Sequence, residues 1–288
     1  MLVRLEPRRQ PERALGRAGL PPARLARYIC LDIAADGGRS FQPERASSVS
    51  DGANCTEALV VSPAEWTAIF LSLKVATVGA LASLPFAVGL AWLLARRRFP
   101  GKSLVNALAH LPLVLPPVVT GWLLLIEFGR NGIFGRALQA CCGFTFSFRW
   151  TGAALAAAVM GFPLMMRAIR LSIEAVDARL EQAAQTLGAP SWYIFATVTL
   201  PLATPGIIAG LILGFARAIG EFGATITFVA NIPGQTQTIA TAIYSATQDP
   251  NGAETIWRLT GVALAIAFVA LLASEALAAR VARRDAGE

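Results

Sequence analysis

Residues 181–201 read EQAAQTLGAPSWYIFATVTLP, a polar segment that lies between two long apolar stretches. Its first half continues an apolar stripe that recurs at helical spacing from Val176 to Leu187 and predicts an amphipathic helix. Asp177 is suited to cap the start of that helix, and Gly188 to end it in the left-handed conformation. The segment therefore predicts a helix that ends in a tight turn.

The second half of this segment predicts another short helix over Ser191–Thr199, with Trp192 and Phe195 on one face. Pro190 stops the first helix, and Pro201 suits the first turn of the apolar helix that follows. Such a helix–turn–helix is too short to be a domain and too apolar to remain in water. Two interpretations stay open: a helix bound in a hydrophobic groove of a partner, or a helix lying on the bilayer surface.

The overall composition places the chain among membrane proteins. Of its 288 residues, 55% are hydrophobic and only 15% are charged, and the mean hydropathy is +0.55. The formal net charge is +7, and in a membrane protein such an excess usually sets the orientation in the bilayer. The sequence contains no nucleic-acid-binding motif, so we expect no nucleic-acid partner.

Five apolar stretches are long enough to cross a bilayer, given about 20 residues for about 30 Å of hydrocarbon. Prolines interrupt several of them, which suits helices that line a transport pathway better than simple anchors. The expected fold is all-α and integral to the membrane, with five transmembrane helices. These spans lie at about 67–95, 104–126, 150–166, 198–216 and 259–279.

Basic residues predict how the spans are oriented. They cluster in the loop at 96–102, at the start of the next loop on that side at 167–170, and in the tail at 280–284. With five spans these segments share one side, which should be cytoplasmic. The helix–turn–helix is then cytoplasmic, and the loops at 127–149 and 221–258 face outward, although the first of these also carries three arginines.

Residues 1–58 do not fit this topology, because their nine arginines would lie outside, where arginine-rich segments are disfavoured. Their composition predicts a disordered extension without the apolar core of a signal peptide, and the membrane domain is expected at 61–284. A further hypothesis is a mis-assigned start, with synthesis beginning near 59–61 at a non-AUG codon. It is motivated by the composition change and by the absence of methionine between Met1 and Met160. An intact mass equal to that of a chain that begins at Met1 would refute this hypothesis.

The chain offers no convincing catalytic or metal-binding motif. The string FPGKS at 99–103 resembles the end of a phosphate-binding P-loop, but Arg96 occupies the position of the required first glycine, and an apolar helix rather than a strand precedes it. The four cysteines form no C-x-x-C pair, and the vicinal Cys141 and Cys142 are expected to be inert. We therefore expect neither ATP hydrolysis nor a cofactor or metal in this chain.

Two patterns near the fourth span suggest roles inside the membrane. Gly206, Gly210 and Gly214 recur every four residues and make one face bare, for packing within the subunit or in a dimer interface. Arg217 and Glu221 are four apart and can pair on one helical face. Alternatively, these two charged residues contact the substrate in a transport pathway.

The cytoplasmic segment resembles the loop of ABC importer permeases, in which E-A-A, three residues, Gly, nine residues and I-x-L-P follow one another. Here Gln182-Ala183-Ala184 is followed by Gly188 and then by Val198-Thr199-Leu200-Pro201. The spacing is complete. Gln182 replaces the usual Glu, with Glu181 just before it, and Val198 replaces Ile.

Over 61–284 the chain is similar to the molybdate permease family of these importers, and the stretch ARAIGEFGATITFVANIPGQTQTIATAIY at 216–244 is what indicates molybdate. The resemblance implies a type I ABC importer permease fold in which 177–201 forms a coupling helix seated in a groove of a cytoplasmic ATPase. The residues expected to carry this coupling are Glu181, Gln182, Ala183, Ala184, Gly188, Leu200 and Pro201.

The same resemblance implies a complex in a bacterial inner membrane. Its partners would be a second permease copy, cytoplasmic ATPase subunits that hold ATP-Mg, a periplasmic molybdate-binding protein and membrane lipid. Replacing Gly188 by Asp should leave the chain in the membrane and abolish uptake. The alternatives are a permease for sulfate, thiosulfate or tungstate, a secondary transporter, and a membrane enzyme. The sequence shows neither clear repeats nor convergent acid–base residues for the last two.

Overall fold

The computed structural model describes residues 61–285, with side chains up to residue 276. The predictions for residues 1–58 lie outside the described residues. Within 61–285 the chain is helical and contains no strand. We number the helices in chain order: α1 Pro63–Arg96, α2 Lys102–Val114, α3 Pro117–Phe128, α4 Ile133–Cys142, α5 Trp150–Ala175, α6 Ala178–Thr186, α7 Ser191–Ile219, α8 Gly223–Val229, α9 Ile239–Thr247 and α10 Ala253–Asp285.

Four helices are long and apolar enough to cross a membrane, namely α1, α5, α7 and α10. The predicted second span at 104–126 is not one helix, because the chain bends by 113° between α2 and α3. The described residues therefore contain five spans only if this bent pair counts as one. The break falls at Leu115–Pro116. It arises because Pro116 and Pro117 lack N–H donors and because a residue that precedes proline is driven out of the helical region.

The expected separate helix at Ser191–Thr199 is also corrected, because α7 continues through Pro201 without a break. The helix instead widens into a π-helical turn at Phe195–Thr199, where the Leu200 N–H bonds to the Phe195 carbonyl. Pro201 has no N–H to donate, and a wider turn just before it keeps the helix continuous. The predicted helix–turn–helix therefore joins α6 directly to the membrane-spanning helix α7.

Helix α5 forms the centre of the described domain. Of the residues in the apolar 18-residue stretch of α5, 61% are buried inside the chain, compared with 11% for the corresponding stretch of α10. Small residues such as Ala153 and Ala157 let α1 approach one part of α5, and Met165 and Ile169 fill the space towards α7. Because α5 is covered on several sides, α1 and α7 are held in place by one shared helix.

Candidate coupling site

Helix α6, which the charge pattern predicts to be cytoplasmic, has both predicted end caps. The Asp177 carboxylate accepts a hydrogen bond of 2.9 Å from the backbone N–H two residues on. At the other end Gly188 has φ +80°, and its N–H bonds to the Gln185 carbonyl at 3.0 Å. The Ala189 N–H reaches the Ala184 carbonyl at 3.2 Å, which completes a Schellman motif. The turn after α6 therefore requires a residue that tolerates positive φ.

The larger apolar side chains at α6 are exposed within the described residues. None of the residues of α6 is buried, and Leu180 is 49% exposed. Leu187, which follows the last residue of α6, is 88% exposed. Trp192, just after the turn, is 71% exposed. These three side chains give the segment an exposed apolar surface, which agrees with both interpretations, a partner groove and the bilayer surface.

One carboxylate attaches α6 to two transmembrane helices. Glu181 Oε1 lies 3.0 Å from Arg96 Nε, at the end of α1, and accepts a hydrogen bond of 2.7 Å from the Thr199 hydroxyl in α7. Arg96 Nη2 also donates to the Val176 carbonyl at 2.9 Å. Glu181 was predicted from the motif, whereas Arg96 and Thr199 were not recognised as its partners. These contacts join α6 to the ends of α1 and α7.

The other motif residues lie on two elements. Gln182 and Ala183 are exposed on α6, and Ala184 is half-buried there. Leu200 and Pro201 lie in α7, beyond the π-helical turn. The motif therefore includes residues of α6 and of the N-terminal part of the transmembrane helix α7, with Gly188 in the turn between them.

Replacing Glu181 by Ala is expected to lower uptake about ten-fold, because a hydrogen bond to a charged group is worth about 1.5–3 kcal/mol and α6 would no longer be fixed to α1. The amount of protein in the membrane should stay near wild type. The matched control is Glu174→Ala, which removes a pair with Arg170 at 2.8 Å that is more exposed. Uptake measured at equal membrane amounts should fall only for Glu181→Ala. An equal loss in both variants would contradict this role.

The bare glycine face of α7 packs against α5 of the same chain. A Cβ at Gly206 would overlap Ser172, one at Gly210 would come within 3.0 Å of the Met165 carbonyl oxygen, and one at Gly214 would meet Met165 Cε at 2.5 Å. Of the two expected roles, this arrangement is the close approach of helices within one subunit.

Gly206→Ala should therefore lower thermal stability more than Gly214→Ala. The new methyl group at 206 meets the Cβ of Ser172, which moves only with the backbone, whereas Met165 Cε is the end of a flexible side chain. Overpacking typically costs about 1–3 kcal/mol, and we expect the upper part of this range at 206 and a smaller loss at 214. Unfolding midpoints in detergent measure the difference, and the reverse order would refute the packing argument.

Arg217 and Glu221 pair as the spacing suggested. Arg217 Nη1 lies 2.7 Å from Glu221 Oε2, and the side chains are 26% and 1% exposed. Glu221 Oε1 also accepts the backbone N–H of Ala224 at 2.9 Å, in the first turn of α8. The carboxylate thus joins the end of α7 to α8. Direct contact of either residue with a substrate stays a prediction.

The ion pair between Glu65 and Arg258, like that between Arg96 and Glu181, was not predicted from the sequence. Arg258 Nη2 at the start of α10 lies 3.0 Å from Glu65 Oε1 at the start of α1. Ser62 and Glu65 form a capping box, which the S-x-x-E pattern could have indicated. The arginine partner lies far along the chain, so no local pattern indicates it.

Comparison with known proteins assigns the family. Residues 83–284 match the family described as "Binding-protein-dependent transport system inner membrane component". The chain belongs to this family. It is accordingly a multi-pass protein of the inner membrane, in agreement with its long apolar helices.

Several curated relatives are similar over nearly their whole length. The chain is 56% identical over 229 residues to "Molybdenum transport system permease protein ModB" of Escherichia coli (strain K12), covering 80% of this chain and 100% of that protein. The protein of the same name from Haemophilus influenzae is 56% identical over 220 residues, covering 76% and 96%. "Sulfate transport system permease protein CysT" of Escherichia coli is 34% identical over 231 residues, covering 80% and 82%.

Solved structures support the fold. A bacterial ABC transporter that imports the acidic polysaccharide alginate matches with TM-score 0.57 and 19% identity, covering 77% of this chain and 80% of that chain. An alginate transporter in complex with a pentasaccharide-bound periplasmic protein matches with TM-score 0.58 and 18% identity, covering 89% and 91%. The fold is that of a type I ABC importer permease.

Proposed function

We propose that this chain is the permease subunit of an ATP-driven ABC importer that moves molybdate across the inner membrane. The observation that carries the proposal is the 56% identity to ModB over the whole length of that relative. The sulfate permease is markedly less similar, at 34%. The chain would supply the pathway, while ATP would be bound and hydrolysed by separate subunits.

The geometry of α6 supports its role in coupling. The exposed Leu180 of α6 and Leu187 just after it would enter a hydrophobic groove of the ATPase, rather than lie on the bilayer surface. The contacts of Glu181 to α1 and α7 would then transmit movement of α6 to the transmembrane helices as a rigid body. A second permease copy would complete the pathway, and a periplasmic binding protein would deliver the oxyanion.

The test is uptake of labelled molybdate in cells that lack their own high-affinity permease and express this chain with its ATPase and binding protein. We expect uptake that resists excess sulfate and disappears when the ATPase is omitted. Uptake abolished by sulfate would favour a sulfate-class permease, the second candidate that the CysT similarity supports. Uptake indifferent to the ATPase would overturn the ABC assignment and favour a secondary transporter.

A further inference from the structure

A polar cavity of about 650 Å³ lies beside α6, where the ends of α1 and α7 meet. Four basic side chains line it, whereas Glu181 is the only carboxylate among the described residues of its lining. Uncharged polar groups such as Gln182, Gln185 and Ser191 complete the wall. The basic residues are Arg96, Arg97, Arg98 and Lys102.

Most of this positive charge is not neutralised. Arg96 pairs with Glu181, and the Arg97 guanidinium lies 5.5 Å from the centre of the Trp92 ring. Within the described residues, Arg98 and Lys102 have no carboxylate within salt-bridge distance. Like charges crowded around one cavity repel one another, and an anion in the cavity would relieve this repulsion.

The position of the cavity indicates where the anion comes from. Arg96 is the last residue of α1, Lys102 the first of α2 and Ser191 the first of α7, so the cavity lies at the level where apolar helices end. Two exposed aromatic side chains, Trp192 and Tyr193, follow Ser191 on α7. Exposed Trp and Tyr at the ends of transmembrane helices are typical of the membrane–water interface. The cavity therefore opens among lipid headgroups of the cytoplasmic leaflet.

We propose that this cavity binds the phosphate headgroup of an anionic phospholipid. Basic pockets between transmembrane helices on the cytoplasmic side suit such headgroups, and the phosphate would contact Arg97, Arg98 and Lys102. The polar side chains of the wall can donate hydrogen bonds to the headgroup. Because Arg96 belongs to the same cavity, a bound lipid lies next to the contact that fixes α6 to α1.

The test uses the full-length chain in nanodiscs of phosphatidylcholine with a minor fraction of phosphatidylglycerol, and native mass spectrometry counts the phosphatidylglycerol retained per chain. Arg98→Gln with Lys102→Gln should weaken retention roughly 30-fold, since each basic residue near the surface contributes a factor of about five. The matched control, Arg130→Gln with Arg136→Gln, removes two exposed charges from the predicted outward face and should change nothing. The exchange Arg98→Lys with Lys102→Arg keeps the charge and should retain the lipid.

Two further arms distinguish other sources of the anion. Displacement of phosphatidylglycerol by inorganic phosphate alone would show that the cavity takes a soluble anion and would overturn the lipid assignment. The same double variant is compared with wild type in complex with the ATPase subunits. Unchanged lipid retention together with loss of the ATPase would show that acidic side chains of that partner fill the cavity. Lipid loss with the ATPase still bound supports the proposal.

Discussion

Replacing Gly188 by Asp is expected to abolish uptake while leaving the chain in the membrane at its normal amount. Gly188 has φ +80°, and a Cβ there would meet no atom of the described residues within 4 Å. The substitution therefore costs the isolated chain little more than the strain of a positive φ, about 1–2 kcal/mol. It adds a charged side chain to the surface that carries Leu187, which is proposed to face the ATPase.

Two variants separate the proposed coupling role from a general effect on folding. Gly143 also has positive φ and open space around it, but it lies on the predicted outward side, so Gly143→Asp should keep uptake. Gly188→Asn adds a similar side chain without charge and tolerates positive φ, so it should keep part of the activity. Uptake and membrane content are measured together for each variant. Normal uptake by Gly188→Asp would contradict the coupling role, and equal loss in Gly143→Asp would reduce it to backbone strain.

The local features of the fold could be predicted from the sequence. The caps at Asp177 and Gly188 are set by side-chain chemistry and by the absence of a Cβ, both of which act within a few residues. The same is true of the Arg217–Glu221 pair, whose members are only four residues apart, with Glu221 just beyond the end of α7. The bend before Pro116 could have been anticipated, but apolar length alone predicted a single span.

The long-range contacts could not be predicted in this way. Arg96 and Glu181 are 85 residues apart, and Glu65 and Arg258 are 193 apart. Each pair joins two helices that are distant in the sequence, and many arginines were available as partners. Likewise, whether Pro201 would start a new helix or lie within a longer one depended on the π-helical turn before it. Tertiary packing decided these features.

Replacing Glu221 by Ala is expected to cause the largest loss of stability. The change leaves the partly buried Arg217 without its carboxylate and removes the acceptor of the Ala224 N–H. Breaking a buried ion pair costs about 3–5 kcal/mol, and the lower end applies because Arg217 is 26% exposed. The thermal unfolding midpoint in detergent should fall by roughly 10 °C, by analogy with domains of similar size. Less protein should also reach the membrane.

The cause of this loss can be resolved by three further variants. Glu221→Gln keeps an acceptor for the Ala224 N–H, and its unfolding midpoint should lie between those of wild type and Glu221→Ala. Arg217→Met combined with Glu221→Gln removes both charges and should be more stable than Glu221→Gln alone, because no unpaired charge remains. Glu275→Ala removes an exposed carboxylate from α10 and serves as the control. If the double variant is no more stable than Glu221→Gln, the stability of this region depends on the α8 hydrogen bond rather than on the ion pair.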